Sequence, residues 1–220
     1  MGNPWNLPFR VLSFRILLEE EESMIDNTMN PFLIFISACL INNILLIKFL
    51  GLCSFFGLSS SIKNSVGMSL AVIFVTIMAT VVSWIIFHLV LVPLNLVFLR
   101  TATFILTIAT LVQIEEMFIK KYLPPLYKAM GIYLPLITTN CAILAVAFLN
   151  IDYNLNLLNS IAHGFGVGVG YTLAIILFAG LRERLMTAPI PKALQGYPVA
   201  FFLASLMSLA FLGFKGLFGL

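Results

Sequence analysis

The chain has 220 residues, of which 61% are hydrophobic and 10% charged, and its mean hydropathy is +1.08. A soluble domain of that length has too little interior to hide so much apolar surface, so composition excludes the soluble classes and points to a polytopic membrane protein. The formal net charge of +3 decides nothing as a sum, because in a membrane protein the loops that carry the charge matter more.

Residues 1–28 differ from the rest of the chain. They contain the acidic run Glu19 to Glu22 and lack the apolar core of a signal peptide. They are expected to be a non-native leader or a disordered tail, with Met24 or Met29 the natural start. A membrane domain over 29–220 comes next, in six apolar segments. These run from Pro31 to Leu58, Val66 to Val92, about Leu96 to Ile119, Gly131 to Asn150, Ser160 to Leu181 and Pro198 to Phe214. Pro93, Pro124-Pro125, the polar run Asp152 to Asn159, and Pro189 with Pro191 separate them. Lys63, Lys120, Lys121, Lys128, Arg182, Arg184 and Lys192 fall in the first, third and fifth loops, against Arg100 and Lys215 on the other side. That asymmetry predicts those loops in the cytoplasm and both termini outside.

Two segments depart from a plain membrane helix. The first is 28 residues long, whereas about 20 cross the hydrocarbon core. It contains Lys48, Gly51 and Gly57, and reads either as a broken or re-entrant helix or as a tilted helix followed by an interfacial stretch. The fourth, GIYLPLITTNCAILAVAFLN, carries Pro135, Thr138, Thr139, Asn140 and Cys141 in its middle. Polar groups at such depth are costly and are kept for a pathway, a ligand or a helix contact. Asn42, Asn43 and Asn140 are placed to satisfy the freed backbone of broken helices, or to bond between helices.

A faint internal repeat links Gly67-Met-Ser-Leu-Ala-Val-Ile-Phe to Gly170-Tyr-Thr-Leu-Ala-Ile-Ile-Leu. Each follows a cysteine-bearing segment, which makes Cys53 and Cys141 candidate symmetry mates. Three spans per half, about 31–119 and 131–217, would lie inverted, with the site at the repeat interface.

The cysteines number three, all in apolar surroundings, so a disulfide framework is not expected. Cys39, in ISACLI with no breaker beside it, reads as a small apolar residue. Cys53 and Cys141 both lie where a helix is expected to break, and thiolates there suit an iron–sulfur or other soft metal centre. An iron–sulfur cluster takes four protein ligands, and His88 and His163 read as satisfied or interfacial. The missing two ligands would come from a second chain, most simply a paralogue. The alternating glycines of HGFGVGVG (Gly164 to Gly170) predict close helix packing and not a nucleotide loop. Glu115 and Glu116, before Lys120 and Lys121, read as an interfacial acidic pair or as a cation or proton station.

The segments NNILLIKFLGLC (Asn42 to Cys53), YLPLITTNCAILAVAFLN (Tyr133 to Asn150) and LMSLAFLGFKGL (Leu206 to Leu217) resemble the Rnf family of ion-translocating ferredoxin:NAD oxidoreductases, its A-type membrane subunit in particular. They are also similar to the homologous E-type subunit of the sodium-translocating NADH:quinone reductases. The GFGVGVG, RERL and QIEEM stretches add to the likeness, which covers roughly Met29 to Leu217. The resemblance implies an all-α integral membrane protein of the bacterial or archaeal cytoplasmic (inner) membrane, with six transmembrane helices in two inverted three-helix repeats. It implies that Cys53 and Cys141 are the metal ligands this chain gives to a [2Fe-2S] cluster, completed by the paralogous E-type subunit of the same complex. Other implied partners are the ferredoxin-like iron–sulfur subunit, the flavin subunits and the NADH-binding subunit. The implied activity is electron transfer between ferredoxin and NAD, coupled to Na+ or H+ movement, with no complete active site in this chain alone. Lys48, Thr139 and Asn140 are expected to tune such a cluster. A non-redox secondary transporter or channel with inverted repeats, or a structural anchor for redox partners, are the competing readings.

Overall fold

A computed structural model describes residues 30–59, 62–93, 99–122, 140–186 and 196–217. All regular structure among them is helical. Helix α1 (Pro31–Ile36) continues through a widened π turn, Ser37–Ile41. It is followed by a non-helical stretch and the short α2 (Leu52–Leu58). Helix α3 (Ile62–Ile86) runs on through a second π turn, Phe87–Leu91, and α4 spans Arg100–Tyr122. Then come α5 (Cys141–Asp152), α6 (Leu157–Met186) and α7 (Tyr197–Leu217).

Among the described residues, three stretches are long and apolar enough to cross a bilayer: Ser65–Leu91, Arg100–Phe118 and Leu157–Leu185. The apolar stretches Pro31–Ile41, Cys141–Asp152 and Tyr197–Gly213 are shorter. At 1.5 Å per residue α5 is about 18 Å long, well short of a hydrocarbon core of about 30 Å. The first expected segment is therefore a broken helix, and the tilted-helix alternative falls. Of the fourth, the described part is a half helix; Gly131 to Thr139, with Pro135, lie outside the described residues. So do the tail over residues 1–28, Lys128, Pro189, Pro191 and Lys192.

Helix α6 is the spine. It packs on α3, α1 and α5, and more lightly on α7, and it buries Tyr171, Ala174, Ile175 and Phe178 almost completely. Its glycines set the spacing. A Cβ on Gly166 would lie 2.8 Å from the Phe35 carbonyl oxygen, and one on Gly170 2.8 Å from that of Cys39. On the α3 side, Gly164 meets Thr80 and Gly168 meets Ile73 in the same way. The glycine run is thus a packing surface for two helices, as its small residues predict.

These contacts also fix directions. Phe35 to Cys39 follows Gly166 to Gly170, so α1 runs parallel to α6, whereas Thr80 and Ile73 meet Gly164 and Gly168 in reverse order. Beyond the break, α2 continues the same way until Arg182, near the end of α6, donates to Phe56 O (3.0 Å) and Ser59 Oγ (2.9 Å). Helix α5 ends beside the start of α4, where Asp152 pairs with Arg100 at 2.6 Å. Helix α7 climbs back, from Phe201 packed against Phe56 to Ser208 bonded to Leu46 O. Pro31 and the end of α7 therefore share one face of the bundle. Lys120, Lys121, Arg182 and Arg184 lie at the other.

The eight-residue likeness falls at different depths: Gly67 is in the second turn of α3, and Gly170 is halfway along α6.

Replacing Gly170 by Val is expected to force α1 away from α6 and lower stability by about 1–3 kcal/mol, the usual cost of overpacking. A thermal melt of the detergent-solubilised protein, compared with Gly180→Val, checks this; nothing lies within 4 Å of a Cβ at Gly180.

Candidate functional site

Breaking a helix inside a membrane frees backbone donors and acceptors that hydrocarbon cannot satisfy. In the break after Ile41 this work falls to Asn43, which is fully buried. Its amide donates to Gly170 O (2.8 Å) and Cys39 O (3.3 Å), and its Oδ1 accepts from Leu45 N (3.1 Å). Ser208 on α7 donates to Leu46 O at 2.8 Å. Ser54 Oγ donates to Gly51 O (2.9 Å), so the Tyr171 hydroxyl 2.8 Å away donates to Ser54. Each such bond contributes about 1 kcal/mol, and leaving a buried partner unpaired costs about 1–3 kcal/mol. The asparagine expectation holds for Asn43 and Asn140. Tyr171 and Ser54 are an addition that the sequence, where both sit in apolar runs, does not flag.

The chain re-enters helix at Gly51, whose φ is +83°. A side chain there would be strained by conformation alone. On the other half, Asn140 is an N-cap with extended backbone, and its Oδ1 accepts from Ala142 N at 3.0 Å. Capping by Asn at this position is the ordinary way to begin a helix.

The two helix starts touch. A Cβ on Gly51 would lie 3.1 Å from Asn140 Oδ1, 3.4 Å from the Ala142 Cβ and 3.6 Å from the Tyr171 ring. Tyr171 is the midpoint of the thirty-residue α6. The far ends of α2 and α5 lie at opposite ends of that helix: Arg182 near its end bonds the end of α2, and His163 near its start bonds Asn150 of α5. Two half helices therefore approach from opposite sides and meet, start to start, halfway along the bundle. Cys53 is two residues past Gly51, and Cys141 directly follows Asn140. Both thiols are exposed on the chain's surface, while Cys39 is buried. Cys39 keeps its reading as a small apolar residue, but its surroundings are not plain helix: it sits in the widened turn that leads into the break.

The other singled-out residues lie apart from this contact. His163 is buried with Nδ1 2.6 Å from Asn150 Oδ1, and His88 stacks on Trp84. Lys48 is half-buried within the break. Glu115 departs from the interfacial expectation: it is buried, and its Oε2 has no hydrogen-bond partner. Glu116 is half-buried.

No group of three or more His, Cys, Asp or Glu placed to hold a metal ion occurs among the described residues. Cys53 and Cys141 are two thiols of the type that can serve as soft metal ligands, one at each helix start. The Asn140 side-chain nitrogen is buried without a partner, immediately beside Cys141. It is a hydrogen-bond donor held in reserve for an acceptor such as sulfur. Donor type, exposure and the orphaned amide all fit an iron–sulfur centre at the contact.

Residues 31–218 match the family model described as Rnf-Nqr subunit, membrane protein. The chain belongs to the Rnf-Nqr family. Among Rnf-Nqr relatives, the A subunit of the ion-translocating oxidoreductase complex of Cronobacter sakazakii is 52% identical over 84% of this chain and 96% of the relative. The A subunit of the Na+-translocating ferredoxin:NAD+ oxidoreductase complex of Acetobacterium woodii is equally similar, at 52% over the same shares. So is that of the proton-translocating complex of Clostridium ljungdahlii, at 52% over 84% of this chain and 95% of the relative. Relatives named for different ions stand at the same identity, so similarity alone does not choose the ion. Family membership and the apolar helices make this a multi-pass membrane protein.

Gly51→Ala places a Cβ at positive φ and against the Asn140 side-chain carbonyl. The expected cost is about 1–2 kcal/mol from the left-handed backbone alone. Thermal unfolding should show it, and a wild-type melting curve would count against the helix-start contact.

Proposed function

We propose that the chain is the A-type membrane subunit of an ion-translocating electron-transport complex, working between ferredoxin and NAD with coupled Na+ or H+ movement. Cys53 and Cys141 give two thiolate ligands to a [2Fe-2S] cluster, and the paralogous E-type subunit of the same complex gives the other two. A six-span, inverted-repeat architecture goes with this, both termini lying outside and the Lys120, Lys121, Arg182 and Arg184 face in the cytoplasm. The remaining partners are the ferredoxin-like iron–sulfur, flavin and NADH-binding subunits.

One observation carries the reading. Two cysteine-bearing helix starts meet at the middle of the longest helix, with both thiols exposed on the chain's own surface. A merely apolar role for these cysteines would favour burial, as at Cys39. A secondary transporter would use the same broken helices but gives no reason for a thiol at each start.

A bound [2Fe-2S] cluster supplies one-electron transfer, with a potential set by net charge, exposure and hydrogen bonds to sulfur. This chain's residues position and tune. Asn140 holds the first turn of α5, and with it Cys141, by capping Ala142 N. Its unpaired amide N–H is free to donate to a sulfur acceptor, which would raise the potential by stabilising added negative charge. Tyr171 and Ser54 hold the Gly51 carbonyl and so fix the start of α2, with Cys53 in its first turn. Asn43 locks the break to α6.

The test is electron paramagnetic resonance on the reduced complex, purified whole. Cys53→Ala and Cys141→Ala should each abolish the signal assigned to this cluster, while Cys39→Ala should leave it. A signal that survives Cys141→Ala refutes the assignment. Asn140→Asp keeps a capping oxygen but loses the amide donor and adds charge. It should lower the midpoint potential in a redox titration, with the cluster retained.

A further inference from the structure

Glu115 lines a cavity of about 160 Å³ between α3 and α4. The walls are Phe74, Met78, Leu111, Ile114 and Phe118, together with Val75. Phe74, Met78, Ile114 and Phe118 are exposed on this chain, so the cavity opens on the bundle's outer surface. The Glu115 residue is 8% exposed, and its Oε2 is buried with no hydrogen-bond partner. A buried carboxyl oxygen left unpaired is among the more costly groups a protein can keep, and more so at membrane depth.

A hydrogen-bond donor filling the cavity would relieve this cost. Lipid tails fit the walls but have none. A water molecule needs two to four polar partners, and among the described residues the walls offer only the carboxyl. A desolvated metal cation needs several oxygens, and the same count excludes it. The volume of about 160 Å³ is enough for one side chain.

We infer that the α3–α4 cavity is a socket for one donor-bearing side chain (Lys, Arg, Trp, Asn, Gln, Ser or Thr) from a transmembrane helix of a partner subunit. The partner helix rests on the exposed apolar rim and its donor reaches the Glu115 carboxyl. This rests on the proposed function only in placing the chain within a multi-subunit membrane complex. The socket is separate from the cysteine contact: Glu115 is near the α4 end that carries Lys120 and Lys121, whereas the contact lies midway along α6. The chain thus has two docking regions, one presenting thiols and one presenting a carboxyl.

The experiment uses the whole complex, carrying the photoreactive residue p-benzoylphenylalanine in place of Phe118, with a control in place of Phe202 on the outer side of α7. Irradiation should join the Phe118 probe to one membrane subunit, with the joined position mapped by mass spectrometry to a helix beside a donor side chain. Glu115→Leu should reduce that adduct about fivefold, the effect expected when one buried partner is removed. Glu115→Gln, which keeps a carbonyl acceptor, should retain most of it. Adducts with lipid alone, or an adduct indifferent to Glu115→Leu, would overturn the socket. So would an unchanged adduct combined with altered pH dependence of ion uptake, which would assign the carboxyl to an ion path. If the wild-type chain co-purified with no redox subunit, the proposed function itself would fall, and the socket with it.

Discussion

Everything in this bundle depends on one constraint: a helix interrupted within hydrocarbon must find partners for the backbone groups it exposes. The interruption after Ile41 meets it with the Asn43 side chain, which bonds Gly170 O, Cys39 O and Leu45 N at once. Helix α5 starts under the cap of Asn140. Because Asn43 is anchored to α6 and Gly51 abuts both Asn140 and Tyr171, the break and the start of α5 converge on the middle of α6.

The glycine face of α6 is what lets the convergence happen. With Gly166 and Gly170 under α1, the backbones of the two helices approach until Cys39 O and the Asn43 amide lie in hydrogen-bonding reach of α6. A larger residue at either position would separate the break from its anchor. The thiols then stand exposed on a scaffold fixed by packing and hydrogen bonds. Precise placement of the thiols rests on this supporting layer of packing and hydrogen bonds.

Much of this was legible in the residues, for definite reasons. Excess length and Gly51 signalled an interrupted first helix, though only the Asn43 contacts decide between a break and a tilt. Asn140 before Cys141 is a helix-start signal in its own right, and it predicts where α5 begins. The packing role of HGFGVGVG followed from residue size. Other features were not legible, because they arise from pairs distant in sequence. Tyr171 with Ser54, Ser208 with Leu46 O, and Arg182 with the end of α2 look like isolated polar residues until the helices are assembled. Glu115 misled for a different reason: its neighbours Glu116, Lys120 and Lys121 suggest a solvated interface, but its position on α4 turns it toward α3. The eight-residue likeness falls at different depths, with Gly67 near the start of α3 and Gly170 halfway along α6.

In the proposed function, the cysteine contact is half of a metal centre completed by another subunit. Iron and acid-labile sulfide, measured on this chain co-expressed with its paralogue and on each chain alone, test it most directly. A shared cluster predicts about two irons and two sulfides per purified pair and none in either chain by itself. Stoichiometric iron and sulfide in the isolated chain, or their absence from a properly assembled pair, would contradict it.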